Sequence, residues 1–160
     1  MKTLVNRYAK KLIGQLPKVL FQGRIIVIQS KEEAAKAVDY LLSQEIIGID
    51  TETKPVFKKG AGMNPVALLQ VSTYDTCFLF RLNHIGYTDD LIRLMSDDKV
   101  LKVGLSLKDD FTQLARRKQF VAGRHAELQQ LVKEMGIVDQ SLQKLYANFF
   151  GQKISKRERL

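Results

Sequence analysis

The sequence predicts an α/β fold on a mixed sheet, and three observations lead there. Five apolar, β-rich runs stand at 24–30 (RIIVIQS), 46–50 (IIGID), 66–73 (VALLQVST), 76–82 (TCFLFRL) and 100–104 (VLKVG). Only "YD" separates the third run from the fourth, which signals an antiparallel hairpin. Helical patterns lie between and after the runs, in an order that fits α/β, or α+β, architecture.

The elements can be justified in turn. Residues 2–14 place Leu4, Val5, Tyr8 and Leu12 on one face of a predicted basic amphipathic helix. Pro17 and Gly23 break it before the first strand. Ser30 begins "SKEEAAKAVDYLLSQ" as a helix cap, with Glu33 placed for a capping box. After the hairpin come a helix over 88–96 and the strand at 100–104. A helix from about 107 to 118 then sets Phe111, Leu114 and Ala115 at core spacing. "AELQQLVKEMG" and "SLQKLYANFFG" predict two more helices, each closed by a glycine, Gly136 and Gly151. No repeat, low-complexity tract or interdomain linker interrupts the chain.

Composition sets the frame. The 160 residues are enough for one domain with a real core. Hydrophobic residues at 45% and charged residues at 27% exclude disorder. No apolar run approaches the roughly 18 residues of a membrane span. The amino terminus lacks a signal-peptide apolar region. A single cysteine, Cys77, rules out an internal disulfide and leads us to expect a cytoplasmic protein. The net charge is +9, gathered in "KTLVNRYAKK", "KPVFKK", "ARRK" and "GQKISKRER". Each cluster alone reads as solvated surface, but together they suit a polyanionic partner.

The candidate chemistry lies in "IIGIDTET". In a strand, residues i and i+2 share a face, so Asp50 and Glu52 project together while Thr51 points away. Two adjacent anions repel unless a cation lies between them, and hard divalent cations bind through such carboxylates. A second acidic site, Asp109–Asp110, opens the helix after the last strand. Each feature has an ordinary alternative: an exposed strand end for the first, helix-dipole partners for the second.

Taken together, the pattern resembles the exonuclease domains of the ribonuclease D and Werner-syndrome helicase type, in the DEDD superfamily of 3′–5′ exonucleases. "IIGIDTETKP" is similar to the family's first motif, and Leu69-Gln70 sits in a hairpin similar to the family's own. "KVGLSLKDDFTQL" resembles the second motif, with Gly104 setting a register that selects Asp110 over Asp109. The resemblance runs from about residue 24 to the end. It implies a ribonuclease H-like mixed sheet flanked by helices. Residues 24–160 would be the exonuclease-like domain, and residues 1–23 a basic helix and connector. The family's third motif, Tyr-x₃-Asp, is absent from the 160 residues. The expectation is that this chain stops short of the helix that carries it, and that activity suffers accordingly.

The resemblance also implies roles. Two divalent ions, Mg²⁺ or Mn²⁺, about 3.5–4 Å apart in such sites, would be held by Asp50, Glu52 and Asp110 as catalytic and metal-binding residues. Asp50 would bridge both ions, Glu52 would serve the one that activates water, and Asp110 the other. The substrate would be DNA or RNA with a 3′ end, cut to nucleoside 5′-monophosphates. No membrane and no small-molecule cofactor is expected. Thr51, Phe57, Lys58, Lys59 and Met63 are candidate nucleic-acid contacts near the first motif. His84 and His125 are read as structural. A non-catalytic nucleic-acid-binding module and a phosphohydrolase of small phosphate esters remain alternatives.

Overall fold

The computed structural model describes residues 3–155. In chain order the elements are α1 (Lys10–Ile13), β1 (Arg24–Ile28), α2 (Lys31–Leu42), β2 (Ile46–Thr53), β3 (Val66–Ser72) and β4 (Thr76–Arg81). They continue with α3 (Leu82–Ile85), α4 (Asp89–Ser96), β5 (Leu101–Gly104), α5 (Leu107–Arg117), β6 (His125–Glu127), α6 (Leu128–Glu134) and α7 (Leu142–Phe150). Residues 23–127 form one compact unit; the residues before and after them form a second.

The larger unit is a six-stranded sheet in the order β1-β4-β3-β2-β5-β6. β3 pairs antiparallel with β2 and β4, while β1 with β4, β2 with β5, and β5 with β6 run parallel. The hairpin is closed by Thr73: its N–H donates to the Thr76 carbonyl at 2.8 Å, and its hydroxyl accepts from the Thr76 N–H at 3.2 Å. Strand alternation puts Ile26, Ile28, Ile49, Leu69, Val71, Phe78 and Phe80 on one face. Buried residues of α2 (Ala34, Ala37, Val38, Leu41), α4 (Leu91, Leu94, Met95) and α5 (Leu107, Leu114) join them in one core. β2 is the fourth strand in that order, paired on both sides. Past Gly48 only β3 continues the pairing, so what projects from the carboxyl end of β2 is held by that neighbour.

The helices start where side chains can accept their first N–H groups. Ser30 accepts from Glu33 N at 3.1 Å, the cap half of the predicted capping box. The Glu33 carboxylate reaches back to the Ser30 hydroxyl at 2.9 Å and the Gln29 N–H at 3.4 Å, in place of the Ser30 N–H. Thr88 accepts from Leu91 N at 3.2 Å to open α4. The other end of α4 is closed by a lysine: Lys102, fully buried on β5, donates its ammonium to the Leu94 and Asp97 carbonyls.

In the smaller unit Ser141 caps α7, and Gly151 ends it in the left-handed conformation. The predicted helix over 2–14 is replaced by an irregular segment, bent at Asn6–Arg7, and the single turn α1; residue 2 lies outside the described residues. The reason is competition for backbone groups. Val5 exchanges hydrogen bonds with the buried Asn148 side chain, at 3.1 and 2.6 Å. Val138 N donates to the Asn6 carbonyl at 2.9 Å, and Tyr8 N to Asp139 at 2.7 Å. Tertiary partners thus take the bonds that a helix would have used.

Two further expectations change. β2 extends past Asp50 to Thr53, since β3 pairs with it as far as that residue. Ala126 and Glu127, expected in a helix, lie instead in β6 beside β5. Three residues are too few to display a strand period. Among the described residues no helix is long and apolar enough to cross a membrane.

Gly104 sets the approach of α5 to β2. A β-carbon there would lie 2.6 Å from the Ile49 carbonyl oxygen and 2.7 Å from the Leu107 side chain. The backbone oxygen cannot turn aside. Gly104→Ala should therefore lower stability by about 1–3 kcal/mol, measured by chemical denaturation, whereas Gly62→Ala, which meets no atom within 4 Å, should not.

Candidate active site

The site begins with strand parity. Along β2, Ile47, Ile49 and Thr51 face the core side, and Gly48, Asp50 and Glu52 face the other. Asp50 is exposed and Glu52 half-buried, side by side as the sequence predicts. The pairing with β3 slips by one residue between Glu52 and Thr53, leaving Ala67 between paired positions. Bulges of this kind bend a strand end and re-aim its side chains.

Thr51 turns toward α5. Its hydroxyl donates to Asp110 Oδ1 at 2.5 Å, and its backbone N–H donates to Asp50 Oδ1 at 2.9 Å. One residue thus touches both acids. On α5, helical spacing turns Leu107, Asp110 and Leu114 inward, while Asp109 points to solvent. The acid that α5 turns toward this end of the sheet is Asp110, 9% exposed.

Asp110 Oδ2 is buried without a hydrogen-bond partner. Burial pushes this carboxyl up to about 7, against the hydrogen bond from Thr51; the negative charges of Asp50, Asp109 and Glu127 push the same way as burial. Glu127 ends β6, opposite Gly104. Its Oε1 accepts the Ser106 N–H at 2.5 Å, while Oε2 is buried and unpartnered. Only three buried side-chain atoms of the described residues lack a partner, and two of them belong to these acids.

A hard cation suits this donor set, which consists of carboxylate oxygens with an open coordination position on Asp110. The groups are not yet gathered round one point: among the described residues, no three His, Cys, Asp or Glu side chains are placed to hold a metal. Asp50, Glu52 and Asp110 lie at one end of the sheet, with the first two on the opposite face of β2 from Thr51, which holds the third.

The segment after β2 carries the other candidates. Phe57 is 93% and Met63 63% exposed, and Lys58 and Lys59 are exposed at a turn. Arg116 of α5 lies 3.8 Å from the Met63 sulfur. His84 sits on α3; His125 bonds the Gly123 carbonyl at 2.7 Å and meets Phe111 edge-on, so it supports α5. Sequence reasoning missed Glu127 and Ser106. Both depend on β6, the short strand after α5, which places Glu127 at the same sheet end as Asp50 and is too short to read from the sequence.

The sheet order, with acids at the carboxyl end of its strands, defines a ribonuclease H-like fold. A family model described as 3′–5′ exonuclease matches residues 25–160. The chain belongs to the 3′–5′ exonuclease domain family. It is 30% identical over 147 residues to exonuclease 3′-5′ domain-containing protein 2 of Drosophila melanogaster, covering 87% of this chain and 25% of that protein. It is 28% identical over 111 residues to a 3′-5′ exonuclease of Arabidopsis thaliana, covering 61% of this chain and 38% of that protein. This chain therefore spans well under half of either relative.

Among solved structures, the Aedes aegypti Nibbler EXO domain superposes with a TM-score of 0.72 at 20% identity, covering 82% of this chain and 71% of that one. A Trypanosoma brucei RNase D in complex with RNA U12 gives 0.72 at 17% identity, covering 83% and 49%. Escherichia coli RNase D gives 0.71 at 16% identity, covering 86% and 35%. At these identities the likeness is one of fold.

Asp110 makes stability depend on pH. Its folded-state value lies above its ordinary 3.8, at about 7, so the native state holds a proton that the unfolded state has released. Stability should fall as pH rises from about 4 to about 7, by at most about 1.4 kcal/mol per unit. Asp110→Asn should remove most of that slope in denaturation curves taken across the window. An unchanged slope would place the carboxyl's titration in the ordinary range.

Proposed function

We propose that this chain is the catalytic domain of a metal-dependent 3′–5′ exonuclease, in which Asp50, Glu52 and Asp110 hold two divalent ions, Mg²⁺ or Mn²⁺. The observation that carries this reading is the buried Asp110 carboxylate, tied to β2 through Thr51 and left with an open oxygen. The family supports it, and so does a related fold, the EXD2 exonuclease domain, studied after soaking in Mg and GMP. The RNA complex of the trypanosomal RNase D supports a nucleic-acid substrate.

When bound, the ions would supply hydroxide near neutral pH and offset charge on the attacking and leaving oxygens. This chain's own residues do the holding. Asp50 and Glu52 present a paired anionic face at the strand end, held in register by β3, where they pair with Gln70 and Leu68. Thr51 fixes one oxygen of Asp110 and leaves the other for a ligand. Exposed Phe57 and Met63 offer surfaces for base stacking, and Lys58 and Lys59 offer phosphate contacts. Products are nucleoside 5′-monophosphates.

A second reading rests on two observations. The 160 residues contain no Tyr-x₃-Asp, and no three described metal-ligating groups already converge. A chain that binds nucleic acid without cutting it would look the same.

The experiment separates them. A 3′-labelled single strand incubated with the chain and Mn²⁺ should be shortened from its 3′ end, releasing mononucleotides. Asp50→Asn should slow this by at least about 10²-fold, and Asp109→Asn should not. Binding without mononucleotide release would favour the second reading. Affinity for the strand should fall steeply with salt, each phosphate contact adding about −0.7 to the log–log slope; a flat response, measured by fluorescence anisotropy, would mean that the basic residues serve another purpose.

A further inference from the structure

Asp110 is held by its backbone as well as by its side chain, and the backbone hold leads to Glu127. Ser106, just before α5, is the one described non-glycine residue with a positive φ, at φ 56° and ψ 40°. A residue with a β-carbon adopts this left-handed conformation only when its surroundings enforce it. Its side chain makes no capping bond to the helix. What it does have is a short bond from β6: Glu127 Oε1 accepts the Ser106 N–H at 2.5 Å. The Ser106 carbonyl in turn accepts from Asp109 N at 3.0 Å and Asp110 N at 3.3 Å. A continuous path therefore runs from Glu127 through the Ser106 peptide to the Asp110 backbone.

We infer that Glu127 is a positioning residue for the cation site. Its carboxylate pins Ser106 in the left-handed turn, and that turn sets where the first turn of α5 presents Asp110. This inference rests on the reading of Asp110 as a cation ligand proposed above. Glu127 reaches the turn from β6, whose pairing places it opposite Gly104, two residues before Ser106. The bond is therefore built into the sheet and does not depend on a mobile surface side chain. Orienting contacts behind a ligand typically govern metal affinity by 10- to 100-fold.

Two substitutions of opposite kind test it. Glu127→Asp keeps the charge and shortens the reach; Glu127→Gln keeps the reach and an acceptor oxygen and removes the charge. Two readouts are taken on the 160-residue chain: Mn²⁺ affinity by calorimetry, and the exchange rate of the Ser106 amide. Glu127→Asp should weaken Mn²⁺ binding about tenfold and speed Ser106 exchange. Glu127→Gln should stay near the parent in both. Adding Ser106→Gly to Glu127→Asp should recover part of the affinity, because glycine adopts the turn unaided.

If Glu127→Gln loses as much affinity as Glu127→Asp, the charge matters and the positioning role is overturned. If Glu127→Asp lowers the melting temperature but leaves Mn²⁺ affinity intact, the role is structural only and the inference also falls. A parent chain that binds no Mn²⁺ would overturn the metal reading itself, and this inference with it; Ser106 exchange would still report whether the turn depends on Glu127.

Discussion

The hydrogen bond from Thr51 to Asp110 joins a strand paired on both sides to the first turn of a helix, and the rest of the larger unit serves to keep those two partners in place. Parity makes the bond useful. Because side chains alternate along β2, the residue that reaches Asp110 must face away from Asp50 and Glu52. A single Asp-Thr-Glu step can then present two acids on one face and recruit a third from the other. The close approach of α5 requires Gly104, since any β-carbon there would strike the Ile49 carbonyl.

The contrast between two buried aspartates shows what this arrangement costs. Asp139 is 6% exposed, with Oδ2 accepting the Tyr8 N–H and Oδ1 lying 3.5 Å from the Lys144 ammonium. Both of its oxygens are engaged, and it acts as a local tie between segments distant in sequence. Asp110 is buried to a similar degree, yet it has one hydrogen bond and three negative neighbours, Asp50, Asp109 and Glu127. A network satisfied only in part is destabilising. Proteins tend to keep such local conflicts where a ligand completes the set. The half-satisfied acid therefore points to function more strongly than the satisfied one.

Much of this was legible in the sequence because the governing patterns are local. The "YD" turn and the Ser30 helix cap are short-range, and each formed as read. The parity of Asp50 and Glu52 needed only that residues 46–53 form a strand. The choice of Asp110 over Asp109 rested on the Gly104 register of the family resemblance, and in the helix Asp110 lies on the buried side with Leu107 and Leu114. What stayed hidden depends on distant partners. The irregular path of residues 3–9 is set by Asn148, Val138 and Asp139, more than a hundred residues away. Glu127 was hidden for a related reason. A three-residue strand has no readable period, and its acidic residue looks like a helix start until β5 lies beside it.

The claim at the centre is that acids from β2 and α5 serve one cation-binding site. Titrating Mn²⁺ into protein labelled with ¹³C at aspartate and glutamate carboxyls tests it most directly, because the paramagnetic ion broadens signals according to proximity. The account predicts that Asp50, Glu52 and Asp110 broaden together at substoichiometric Mn²⁺, ahead of the solvent-facing Asp109. Broadening of Asp50 and Glu52 with Asp110 left sharp, or of Asp109 ahead of Asp110, would contradict it.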